Sequence, residues 1–235
     1  MAKDCFTFKQ FSVYQDRCAM KVGTDGTLLG AWAHAPEGKC RILDIGSGTG
    51  LIALMMAQRY PQAEVFGVDI VAEACSQAKE NVNKSPFKNR VHIINEDIAD
   101  YYSEGLFDAI VSNPPFFVNS LICPNGNRTI ARHSDSLSYG DLFKHVCRLL
   151  GDYGIFSLVV PVESMAIIES EAALVSLFLS RKYAIKTTPK KSPKRVLLEF
   201  RRHPSENIEL SEEVLETSPN ARSEWYSNLT KDFYL

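Results

Sequence analysis

Short apolar runs of five to seven residues alternate with amphipathic stretches between residue 41 and about residue 200. Arg41–Ile45, Ala63–Asp69, Val91–Asn95 and Phe107–Ser112 read as strands, each bounded by polar, Gly or Pro residues. Leu51–Tyr60 and Ala72–Lys84 carry helical spacing between them, as do Tyr139–Leu150 and Ser164–Ser180 further on. Ile155–Val160 is a fifth strand. Tyr183–Thr188 and Arg195–Arg201 are two more, joined by Pro189-Lys190-Lys191-Ser192-Pro193. Strands alternating with helices of this length predict an α/β fold. The expected form is a doubly wound, seven-stranded, mainly parallel sheet ending in an antiparallel hairpin, with helices on both faces.

The flanks follow other patterns. In residues 1–40, Phe6, Phe8, Phe11 and Val13 suit a short strand or hairpin whose aromatics pack on the main domain of residues 41–205. Thr24-Asp25-Gly26 can cap a helix running through Leu28, Leu29, Ala31 and Trp32. Residues 206–235 form an acidic tail ending in Trp225, Tyr226, Phe233 and Tyr234, aromatics that suit docking rather than disorder.

Composition narrows the classes without choosing one. With 45% hydrophobic and 23% charged residues, the 235-residue chain has an ordinary globular make-up. Its longest apolar run, Ile155–Val162, is strand-sized, so no membrane span is expected. The six cysteines are scattered without a Cys-x-x-Cys pair, and no secretory apolar region follows Met1. Reduced thiols in a cytoplasmic protein without a metal are therefore expected, and nothing calls for an obligate protein partner. Net charge is −2, yet residues 181–202 hold nine Lys/Arg against one acid, while the rest of the chain holds 17 basic and 27 acidic residues. Such a stripe suits a polyanion, though a solvated lysine-rich hairpin fits it equally.

The residues that carry chemistry sit where strands end. After Phe107–Ser112 comes Asn113-Pro114-Pro115-Phe116. Two prolines cannot continue a ladder, so the strand stops in a rigid extended turn at its carboxyl end. There an Asn side chain, a stiff carbonyl and an aromatic face can hold a planar amino group and stack on its ring; the plain alternative is a turn. The first strand runs into Asp44-Ile45-Gly46-Ser47-Gly48-Thr49-Gly50. Glycines there allow a sharp turn into a helix and close approach of a ligand. The spacing is Gly-x-Gly-x-Gly, and Asp44 suits a cationic ligand better than a pyrophosphate. Asp69, nineteen residues past Gly50, can accept from both ribose hydroxyls of an adenosine, and Asp97 can receive an adenine amino group.

That order resembles the Rossmann-like class I S-adenosylmethionine-dependent methyltransferases over residues 41–200. The resemblance implies that Gly46, Gly48 and Gly50 hold the methionine part of S-adenosylmethionine, Asp69 its ribose and Asp97 its adenine. Asn-Pro-Pro-aromatic after the fourth strand resembles the motif of enzymes that methylate planar amino nitrogens, adenine N6 or glutamine N5. Phe8–Phe11, Asp16–Trp32, Asn81–Pro86 and Phe233-Tyr234-Leu235 closely resemble the bacterial tRNA1(Val) adenine-37 N6-methyltransferases. The expected activity is thus N6-methylation of adenine-37 in that tRNA, with protein glutamine methylation as the alternative. By the same resemblance Lys21, Thr24 and Asp25 close over the methionine end. Phe116 departs from the Tyr of many relatives and keeps stacking without a hydroxyl. Lys190, Lys191, Lys194 and Arg195 become candidate tRNA phosphate contacts, and Arg132 and His133 can also reach RNA.

Overall fold

β-Branched and aromatic residues at alternating positions favour a pleated, half-buried surface, and these runs become the strands of one sheet. A computed structural model describes residues 5–17, 21–115, 137–219 and 221–235. The chain opens with a hairpin of β1 (Cys5–Thr7) and β2 (Ser12–Tyr14), then helix α1 (Thr24–Trp32). β3 (Arg41–Ile45), α2 (Leu51–Arg59), β4 (Glu64–Asp69), α3 (Ala72–Asn83), β5 (Val91–Asn95) and β6 (Phe107–Ser112) follow. Next come α4 (Tyr139–Leu149), β7 (Leu150–Pro161), α5 (Met165–Leu174), β8 (Phe178–Lys186) and β9 (Arg195–Arg201). The tail holds β10 (Glu209–Val214), a ribbon of β11 (Glu216–Ser218) and β12 (Ala221–Arg222), and α6 (Glu224–Thr230).

The sheet order is β10-β8-β9-β7-β6-β3-β4-β5, and only β9 runs against the others. The seven expected strands are present, and the acidic tail adds an eighth, β10, parallel to β8. Alternate residues of each strand feed two cores. Ile42, Val65, Ala109, Val159 and Leu197 face α1, α2 and α3, while Leu43, Ile110, Leu158 and Leu198 face α4 and α5. This is the two-sided Rossmann-like packing.

Several boundaries differ from the periodicity: β7 begins at Leu150 rather than Ile155, and β8 spans Phe178–Lys186 rather than Tyr183–Thr188. Helix α5 stops at Leu174 instead of continuing to Ser180. Ser176 turns to φ 56°, and the Ser176 and Leu177 amides donate back to Ala173 and Ala172, a Schellman stop. Val175–Ser180 suits either state locally, and pairing of Leu179 with Phe200 decides it for strand. Helix α1 starts from Gly23 without a side-chain cap, which leaves Thr24 and Asp25 inside its first turn rather than capping it.

The two termini meet. The Lys9 amide donates to the Phe233 carbonyl at 2.8 Å, Phe6 and Phe8 lie against Tyr234, and the Tyr226 and Tyr234 hydroxyls are 3.0 Å apart. Among the described residues no helix is long and apolar enough to cross a membrane.

Candidate functional site

Going from β3 the chain moves outward through β4 to β5, then returns to place β6 on the other side of β3. Between β3 and β6 the sheet therefore has its switch point, where open α/β sheets leave a crevice at the carboxyl ends of the strands. Ile45 pairs with Ser112 there, and the Ser112 hydroxyl donates to the Ile45 carbonyl at 2.9 Å. Gly46 and Asn113 consequently start from neighbouring rungs.

The turn after β3 is built from positive φ. Gly46, Gly48 and Gly50 sit at 73°, 52° and 79°. A Cβ on Gly46 or Gly48 would meet nothing within 4 Å, so bare backbone faces open space, whereas Gly50 packs on Ala78 of α3. The Gly46 and Ser47 amides donate to the Val68 carbonyl, at 2.8 and 3.2 Å. Beneath this turn Asp44 is fully buried. Its Oδ2 accepts from the Ala53 amide at 3.1 Å, and its Oδ1 has no hydrogen-bond partner. Burial, with a smaller push from the neighbouring Asp69 carboxylate, lifts its pKa to about 7, against the pull of that amide. Ser47 Oγ is likewise buried without a partner.

Asp69 holds the turn from the side. One carboxylate oxygen accepts from the Gly48 amide at 2.8 Å and the other from the Val71 amide at 2.9 Å. Asn95 of β5 donates to the carbonyls of Asp69 and Ile70, both at 3.0 Å, fixing this strand end against its neighbour. Asp97 follows on the next strand end and caps its own turn through the Ala99 amide at 2.9 Å. Arg148 of α4 braces that turn from below by donating to the carbonyls of Ile98 and Tyr101.

A cavity of about 280 Å³ opens over the switch point. Gly46, Ser47 and Gly48 form one wall, Asn113 and Arg195 another, and Lys21, Thr24 and Asp25 the rim from the N-terminal side. Gly26 lets α1 approach, since a Cβ there would lie 3.1 Å from Leu51 and 4.0 Å from Asn113 Nδ2. Asp25 is partly buried, which raises its pKa, and the facing Arg195 guanidinium lowers it. Their closest atoms, Oδ1 and Nη1, are 2.7 Å apart, at ion-pair distance but outside hydrogen-bond geometry.

The structure thus gathers Lys21, Thr24, Asp25, Gly46, Gly48, Asn113 and Arg195 around one cavity. Asp44 is buried beneath the turn, Gly50 precedes α2, Asp69 ends β4 and Asp97 follows β5, and these four are not among the residues that line the cavity. Pro114 is buried and Pro115 exposed, while Phe116, Arg132 and His133 lie outside the described residues. Arg195, expected among the tRNA phosphate contacts, also lines the cavity. Ser47 was not singled out beforehand; its place between two glycines of the turn is the signal that points to it. A larger cleft of about 440 Å³ opens at the other end of α2, beside Gln58, Arg59 and Tyr60. None of the strand-end residues lines it.

The basic stripe shrinks on folding. Arg181 stacks on Trp32 and pairs with Glu199 and Glu209, Arg201 pairs with Glu199, and Lys186 pairs with Glu212. Arg202 donates to the carbonyls of Cys147, Leu150 and Gly151. Lys190, Lys191 and Lys194 remain exposed on the β8–β9 loop, and no ion pair is found for them among the described residues. That loop runs directly into Arg195.

Comparison with known proteins agrees with the geometry. The family model described as Methyltransferase small domain matches residues 24–139. A tRNA1(Val) (adenine(37)-N6)-methyltransferase of Bacteroides thetaiotaomicron is 46% identical, with 100% of this chain and 99% of the relative covered. Proteins of the same name from Phocaeicola vulgatus and Trichodesmium erythraeum are 48% and 43% identical, at the same coverage. A predicted O-methyltransferase from Agrobacterium tumefaciens superposes with a TM-score of 0.67 at 18% identity, over 89% of this chain and 96% of that one. A TehB-like SAM-dependent methyltransferase from Corynebacterium glutamicum gives 0.52 at 20% identity, over 77% and 89%. The solved structures share the fold.

Proposed function

Since this chain belongs to the tRNA1(Val) (adenine(37)-N6)-methyltransferase family, we propose that it methylates the N6 amine of an adenine in tRNA, at position 37 of tRNA1(Val), using S-adenosylmethionine. The observation that carries this reading is the placement of Asn113 across one cavity from the Gly46–Gly48 backbone. The residues present fit the cofactor. Open backbone at Gly46 and Gly48 and the unpartnered oxygens of Asp44 and Ser47 form a cradle still short of polar partners. In it, Gly46, Gly48 and Gly50 take the methionine part with Lys21, Thr24 and Asp25 at the rim. Asp44 lies under the turn as the counter-charge for a cation. Asp69 takes the ribose by sharing its backbone-bound carboxylate, and Asp97 the adenine. When bound, S-adenosylmethionine supplies an electrophilic methyl group on sulfur.

The remaining work falls to the chain. An exocyclic amine delocalises its lone pair into the ring and is a poor nucleophile. Asn113 Oδ1 and the Pro114 carbonyl each accept one N–H, which favours a tetrahedral nitrogen with its lone pair aimed at the methyl. Pro115 keeps that carbonyl rigid, and Phe116 supplies a stacking face for the base. The adenine must leave its stack to enter, as bases do in enzymes acting on exocyclic groups. No base is required beforehand, because the proton becomes acidic once nitrogen is alkylated. Lys190, Lys191 and Lys194 position the anticodon arm by its phosphates, and the reaction places the protein with tRNA in the cytoplasm.

Incubation with labelled cofactor and tRNA from cells lacking this gene, followed by nucleoside mass spectrometry, tests the reading. N6-methyladenosine at position 37 is expected; label in protein glutamine alone overturns it. Asn113→Ala should cut turnover by about 100-fold or more while cofactor affinity stays within about threefold.

A further inference from the structure

Arg195 occupies a place that its neighbours in sequence do not. It is the first residue of β9, directly after the loop that exposes Lys190, Lys191 and Lys194. Its rung is shared with Pro161, the last residue of β7, and β7 pairs with β6. Arg195 and Asn113 therefore stand on the same edge of the sheet, two strand spacings apart, roughly 10 Å. Both line the cavity, and Asp25 lines it between the N-terminal rim and Arg195.

The ion pair they form is close but poorly directed. Side-chain exposures of 23% for Arg195 and 20% for Asp25 leave each reachable from the cavity. Arg195 has three guanidinium N–H bonds besides the two on the Nη1 group near Asp25, and it matches an oxyanion in a forked, planar way that lysine does not. The Asp25 oxygen nearest to it has a counter-charge and no hydrogen-bond donor. Each partner is thus held by charge and left with capacity for a better directed ligand of opposite sign.

Resting on the function proposed above, we propose that Arg195 is a positioning residue that leaves Asp25 to take the backbone phosphate beside the target adenine, while Asp25 takes the ammonium of the cofactor's methionine part. The exposed lysines lead the polyanion along the loop to Arg195, and Arg195 sets the phosphate at a fixed span from the Asn113 clamp. Two ligands of opposite charge then replace one internal ion pair. Each makes the other's arrival easier, because a phosphate alone strands Asp25 and an ammonium alone strands Arg195. Such coupling is reciprocal between the two sites.

Binding of a fluorescent anticodon-arm RNA, with and without saturating S-adenosylhomocysteine, reads this directly; that analogue keeps the ammonium and cannot react. The analogue should tighten RNA binding by the wild-type chain by about fivefold or more. Arg195→Gln and Asp25→Asn should each reduce that factor to near one, with Arg195→Lys in between. A wild-type factor near one, or a factor that survives in either variant, overturns the inference. A wild-type chain that neither binds nor methylates the RNA instead removes the function proposed above, a separate result from the same samples. Unchanged thermal melting of the variants separates loss of coupling from loss of fold, and either variant alone decides the matter.

Discussion

Asp44 shows how one buried carboxylate can trade stability for a site. In the folded chain it keeps its proton up to about pH 7, because burial disfavours the charged form. In the unfolded chain a carboxyl loses that proton near pH 4. The folded state therefore binds more protons between those values, so Asp44's contribution to stability falls as pH rises through that window. Asp44→Asn should be more stable than the wild type at pH 8, by on the order of 1–4 kcal/mol, with the gap closing toward pH 4. Thermal melts across that range check it, and a gap independent of pH refutes it. The same variant should bind S-adenosylmethionine about tenfold or more weakly at pH 8, because a neutral amide cannot offset a cation. Asp44 was legible in the sequence as an acid before a glycine turn. Its protonation was not, since that depends on burial by the folded chain and on Asp69 arriving from another strand.

At the level of elements, ion pairs supplement the ladder bonds along the β10–β8–β9 edge. Glu199 is completely buried and faces Arg181, Arg201, His34 and the Ser180 hydroxyl. Removing its charge takes the buried counter-charge from Arg201 and from the nearly buried Arg181, which keeps, among the described residues, only the exposed Glu209. Glu199→Gln should therefore lower unfolding free energy by about 3–5 kcal/mol in urea titrations. Glu209→Gln, which alters an exposed partner of Arg181, should cost less than about 1 kcal/mol. Equal losses would mean that the pairs are not separable in this way. Strand β10 was invisible in the sequence because Glu209–Val214 is short, acidic and poor in strand formers. It becomes a strand because Glu209 and Glu212 meet Arg181 and Lys186 on β8. The end of α5 was hidden for a similar reason, since the pairing of Phe178 and Leu179 with β9 outweighs a local pattern that suits a helix equally well.

For the molecule as a whole, folding redistributes a charge pattern that the linear chain overstates. The stripe of residues 181–202 spends much of its charge on Glu199, Glu209, Glu212 and Asp25. Lys190, Lys191 and Lys194 stay exposed on the β8–β9 loop, which runs into the cavity-lining Arg195. Replacing all three with alanine should flatten the salt dependence of tRNA binding, lowering the log–log slope by about two to three. Titration of binding between low and moderate salt measures this; an unchanged slope moves the RNA to another face.

By itself the sequence determined the alternation of strands and helices, the glycine turn, the acids at successive strand ends and the rigid Asn113–Pro114–Pro115 turn. All of these are written in periods of two or 3.6 residues and in the backbone limits of Gly and Pro, which act over a few neighbouring positions. Only the tertiary structure decided that β10 joins the sheet, that α5 stops at Leu174, and that Arg195 turns from the basic loop into the cavity to meet Asp25. Each depends on which surface of a distant segment arrives opposite. Asp25 and Arg195 are far apart along the chain, and no local pattern encodes that one charge will face the other at the cavity.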